Sequence, residues 1–118
     1  MTLDEPQPTT AQVFARLREC LTDVIGSAAT AAFLRRAVRK AAESHPELRM
    51  IEITKNHLDY QYVVPEKWTA GRDSLPVLID VSRQLEALLS DLTGQVMIRH
   101  LRTVPLLLDA GLFRDGER

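Results

Sequence analysis

The run from Thr9 to Val64 constrains this chain most, because the spacing of its apolar residues changes from helical to alternating with one glycine and one proline as its punctuation. Thr9 and Gln12 fit a capping box, and Val13, Phe14, Leu17, Leu21, Val24 and Ile25 then fall on one helical face. Gly26 is expected to end this first helix, since glycine enters the left-handed cap conformation without strain. Ser27 can cap a second helix, whose apolar residues are mostly Ala28, Ala29, Ala31, Ala32, Ala37 and Ala41, with Leu34 and Val38, before Pro46 forbids continuation. So small a face lets another backbone approach closely, which predicts an antiparallel pairing of the two helices.

Beyond Pro46 the period becomes two. Ile51 and Ile53 alternate with polar residues, and Leu58, Tyr60, Tyr62 and Val64 alternate again after Lys55-Asn56-His57, which predicts a β-hairpin. The loop has no Asn-Gly or Asp-Gly pair, so the register is open within a residue or two. A lone two-stranded hairpin is marginal in water and must lie on the helices or pair across a dimer.

Pro65 closes the second strand, and Trp68 is expected to plug the edge of the core. Asp73 or Ser74 then caps a third helix with Pro76 in its first turn and a broad leucine face through Leu75, Leu78, Leu85, Leu88, Leu89 and Leu92. Pro105 splits the last segment into a helix near 95–103 and a short turn ended by Gly111. Leu106, Leu107, Leu108, Leu112 and Phe113 exceed what one helix face can bury, and they are expected at an oligomer interface.

The expected fold is therefore α+β and mainly helical, with four to five helices and one central antiparallel β-hairpin in the order ααββαα. Residues 1–8 are expected to form a disordered leader, 9–113 a single globular domain and 114–118 a frayed tail. Leu, Ile, Val and Phe supply 34 of 118 residues, well above the roughly 20% below which a chain cannot bury enough surface to order itself. The lone Cys20 has no partner for a disulfide and is expected to be a buried, inert thiol.

Charge narrows the function. With 15 Lys+Arg against 16 Asp+Glu and a net charge of −1, general affinity for nucleic acid or anionic membrane is not expected. The acidic, proline-containing start lacks the pattern of a secretory signal, and no apolar run is long enough to span a bilayer, so a cytoplasmic location is expected.

No residue constellation demands catalysis. His45, His57 and His100 fall on separate elements without HxxxH, CxxC or HExxH spacing, and no metal or cofactor is assigned. His57 and Asp59 are close enough for a carboxylate to orient an imidazole, yet no nucleophile lies near them in sequence, and an exposed polar loop accounts for both. The most distinctive cluster is Arg35, Arg36, Arg39 and Lys40, with Arg35 over Arg39 and Arg36 over Lys40, a candidate face for an anion or a protein partner. The helix macrodipole and the nearby Glu43 also suit a solvated face.

The function expected from these patterns is a small soluble regulatory or adaptor module, non-enzymatic, acting through a protein partner and as a homodimer. An alternative is a sensor that holds a phosphorylated small molecule or nucleotide on the basic face of helix two. A third, DNA-binding reading places Arg99, His100 and Arg102 on a recognition helix, but Val96, Met97 and Ile98 stand where base-reading polar side chains belong.

Overall fold

Thr9 starts the first helix as its spacing implies. Its hydroxyl accepts the Gln12 N–H at 3.2 Å, and Gln12 Oε1 accepts the Thr9 N–H at 2.8 Å, closing the capping box. The computed structural model describes residues 7–57 and 59–113; the rest of the expected leader, the expected tail and Leu58 lie outside the described residues.

Helix α1 (Thr10–Ala41) is broken by Gly26, whose φ of 86° and ψ of 168° fall in a region open essentially to glycine alone. The two halves, 10–25 and 27–41, are the two helices expected. A straight helix of 32 residues would run about 48 Å. The longest extent of the molecule is 41 Å, so α1 must turn. In the second half, the buried Thr30 hydroxyl has no hydrogen-bond partner among the described residues.

A 3-10 turn (Pro46–Met50) follows, which the alternation alone does not reveal, and it buries Leu48 completely. Strands β1 (Glu52–Asn56) and β2 (Asp59–Val63) pair antiparallel from Glu52 opposite Val63 to Asn56 opposite Asp59. The turn is thus two residues long, shorter than the expected Lys55-Asn56-His57 loop, and His57 takes a φ of 58° as primed hairpin turns require.

The hairpin lies across both halves of α1. The Arg18 guanidinium stacks 4.6 Å above the Tyr62 ring. On the other side of Gly26, Arg35 donates to the carbonyl of Ile53, the residue opposite Tyr62. On a straight helix Arg18 and Arg35 would be about 25 Å apart. The break at Gly26 lets both halves meet neighbouring positions of the same hairpin. The hairpin is therefore supported within the chain, and the need for a dimer to shelter it disappears.

Four further helices complete the described chain: α2 (Lys67–Ala70), α3 (Leu75–Thr93), α4 (Val96–Leu101) and α5 (Pro105–Asp109). The fold is α+β, mainly helical, with one antiparallel hairpin between helices. Ser74 precedes α3 but makes no side-chain capping bond. Trp68 is fully buried, edge-on to Phe14 at 5.9 Å, and donates its indole N–H to Glu47 at 2.8 Å. Leu78, Val81, Leu85 and Leu89 give α3 its buried face, each such side chain contributing about 1.5–3 kcal/mol.

The C-terminal leucines depart from expectation. Leu107 and Leu112 are wholly buried in the chain's own core and Phe113 nearly so, while Leu106 and Leu108 are half-buried. Pro105 and the positive φ of 98° at Gly111 turn the chain sharply enough to aim these side chains inward from several directions. Leu107, Leu112 and Phe113 thus offer no surface to a second copy. The large apolar side chains left exposed are elsewhere, with Leu92 at 69% and Val96 at 68% beside Gly94. No helix among the described residues is long and apolar enough to cross a membrane.

Candidate functional site

The basic cluster of α1 divides between two sides of the helix. A spacing of four places Arg35 with Arg39 and Arg36 with Lys40. Arg35 and Arg39 line a cleft of about 560 Å³ between the second half of α1, the 3-10 turn and β1. Arg36 and Lys40 instead line a smaller hollow of about 300 Å³ against Gln84, Ala87 and Leu88 of α3. The four residues therefore do not form one site.

The larger cleft has an apolar floor and a cationic rim. Val38 and Ala42 come from α1, Leu48 from the 3-10 turn, and Ile51 and Ile53 from the entry and body of β1. Arg35, Arg39 and Arg49 stand around this floor with Glu43 as the single acid. Arg49 escapes the sequence reading, because it sits on the unanticipated 3-10 turn and is far in sequence from the α1 cluster. The one signal available is its place next to Leu48, whose burial turns the neighbouring side chain outward.

Arg35 is partly committed to the fold. Its Nε and Nη2 donate to the Ile53 carbonyl at 3.2 and 2.8 Å, fastening β1 to α1. Arg39 and Arg49 are exposed, and no carboxylate among the described residues lies within ion-pair distance of either. Two exposed guanidinium groups without an ion-pair partner, beside one held by the Ile53 carbonyl and over apolar side chains, have the chemistry to bind an anion attached to an apolar body.

The remaining candidates are held by the fold in other ways. His45 Nε2 lies 2.5 Å from Asp80 Oδ2, tying the end of α1 to α3, and Asp80 also meets Arg83 at 3.5 Å. His57 is exposed in the hairpin turn, and the Asp59 carboxylate accepts the N–H of Tyr60 at 2.8 Å. In α4, Met97, Ile98 and Leu101 are buried. Arg102 just beyond it is turned inward, donating to the Phe113 carbonyl at 2.9 Å and to Glu86 at 3.3 Å. That leaves Arg99 and His100 as the exposed basic residues of the segment compared above with a recognition helix.

Burial raises the Cys20 thiol above its ordinary pKa, an effect that nearby Arg16 opposes. The Tyr62 hydroxyl is also raised by burial, against the opposing pull of Arg18 and Arg35. Burial pushes the Glu47 carboxyl up, but the donors of Trp68, Lys67 and Ser74 around it outweigh that effect and hold it below the ordinary range. Among the described residues no group of three or more His, Cys, Asp or Glu side chains converges to hold a metal. Comparison of the chain with family models, curated proteins and solved structures yields no match.

Proposed function

We propose that this chain is a regulatory or adaptor module, non-enzymatic, that recognises an anionic group carried on an apolar body through the cleft between α1 and β1. The supporting observation is the ring of Arg35, Arg39 and Arg49 around the floor of Val38, Ala42, Leu48, Ile51 and Ile53. A guanidinium pairs with carboxylate or phosphate through two parallel hydrogen bonds, and the apolar floor adds area-dependent affinity. The burial of Leu107, Leu112 and Phe113 leaves this cleft, rather than a C-terminal dimer surface, as the principal feature for recognition.

Thermal denaturation of the purified chain against inorganic phosphate, nucleotides and aryl or alkyl carboxylates tests the reading, since a ligand that binds the folded state alone raises the melting temperature with concentration. The expected result is a shift lost in Arg39→Ala and retained in Arg36→Ala, which removes a cation from the other side of the helix. A shift that both variants lose equally places the effect in general basicity, and no shift from any anion removes the reading.

A further inference from the structure

The cleft has a second property beyond its charge. One wall is the free edge of β1. A two-residue turn makes Asn56 and Asp59 a hydrogen-bonded pair, and alternation along the register makes Thr54 with Gln61 and Glu52 with Val63 the next such pairs. Ile53 and Lys55 are then non-hydrogen-bonded positions whose N–H and C=O point away from β2. The side-chain contacts agree with this parity, because the outward Ile53 carbonyl is the one that Arg35 reaches, and on the opposite edge the outward Tyr60 N–H is the one that Asp59 takes.

Resting on the anion-binding reading above, we infer that the cleft receives an extended acidic segment of a partner protein, added as a third strand along the free edge of β1. Backbone groups of Ile53 and Lys55 supply the ladder. Side chains on one face of the added strand cover the apolar floor at Leu48 and Ile51, and carboxylates along the segment meet Arg39 and Arg49. Arg35 exchanges the Ile53 carbonyl for a carboxylate of the incoming segment as the strand takes that carbonyl. In the free protein the same side chain, together with the exposed Lys55, blunts the edge against indiscriminate pairing.

Charge selects this occupant over a second copy of the chain. Pairing β1 with β1 of another molecule would bring together two surfaces on which Arg35, Arg39, Arg49 and Lys55 outnumber Glu43 and Glu52, and a net like charge across an interface opposes association. An acidic segment turns that repulsion into attraction and makes binding fall with salt.

The test uses the full chain with a labelled, end-blocked peptide of alternating glutamate and valine, followed by fluorescence polarisation at low salt and by backbone amide exchange. Binding is expected to weaken by about tenfold or more in Arg39→Glu, an exposed substitution whose fold is checked by its unchanged melting temperature. N-methylation of one alternate set of peptide amides is expected to abolish binding and of the other set to spare it, and the Ile53 and Lys55 amides are expected to gain exchange protection. Binding indifferent to which amides are methylated, or without protection at Ile53 and Lys55, overturns strand addition. If small anions raise the melting temperature in an Arg39-dependent way while the peptide does not bind, this inference falls and the anion site stands. If neither binds, both fall.

Discussion

The indole N–H of Trp68 reaches the Glu47 carboxylate at 2.8 Å, joining the four-residue helix α2 to the 3-10 turn that floors the cleft. The other carboxylate oxygen takes Lys67 at 3.0 Å. Glu47→Ala leaves the indole donor buried without an acceptor, and chemical denaturation is expected to show a loss of about 1–3 kcal/mol. Glu47→Gln keeps an acceptor oxygen and is expected to lose less.

The same carboxyl contributes to the acid limb of the stability curve. Its pKa in the folded protein lies below the ordinary 4.5, so its contribution is fully present above that pH and disappears as the pH falls through the folded value. Urea midpoints measured from neutral pH downward are expected to fall less steeply in Glu47→Gln than in the parent, and superimposable curves would contradict this role.

Gly26→Ala isolates the backbone term. A Cβ built there meets nothing within 4 Å beyond its own chain neighbours, so the effect comes from forcing alanine into the glycine region of the backbone. A destabilisation of about 1–3 kcal/mol is expected in thermal or chemical denaturation. A neutral result would mean that the break in α1 tolerates dihedrals open to alanine.

Thr30→Val removes the hydroxyl that has no partner and keeps the shape of the side chain. Because a buried unsatisfied polar group is unfavourable, this variant is expected to be more stable than the parent by about 1 kcal/mol, read from the denaturation midpoint. Loss of stability would place a bound water or a further acceptor at that hydroxyl.

Leu107→Asp and Val96→Asp separate core from surface. The first introduces a carboxyl at a fully buried position, where about 4 kcal/mol or more is expected to be lost; the second alters a side chain that is 68% exposed and is expected to stay within about 0.5 kcal/mol of the parent. Sedimentation of the parent and Val96→Asp at equal concentration would show whether the exposed pair beside Gly94 drives association.

Much of this fold was legible in residues that have a single physical option. Thr9 with Gln12, Gly26 and Pro105 each exclude most alternatives, and the N-terminal cap, the break in α1 and the start of α5 stand where those residues imply, whereas α1 ends ahead of Pro46 and Ser74 makes no capping bond. The hairpin was legible as a period but not as a register, because His57 supplies the positive φ that sequence reading seeks from glycine or asparagine. The burial of Leu107, Leu112 and Phe113 within the chain was not legible for a related reason. Periodicity counts the faces of one helix, whereas two turns in quick succession at Pro105 and Gly111 bury several directions at once. The cleft was half legible: the spacing of Arg35 and Arg39 marks one wall, but Arg49 and the edge of β1 reach it only through tertiary contact.

The cleft lies wholly beyond the break at Gly26 and spans a short stretch of the chain. All its lining residues fall between Arg35 and Ile53, whereas the closure that joins the ends of the helical layer, the Thr10 N–H to the Gly71 carbonyl, spans 61 positions. Short separations carry little loop-closure entropy and form early. The lining of the cleft is thus drawn from one contiguous stretch of chain, braced from outside it by β2 and by Trp68.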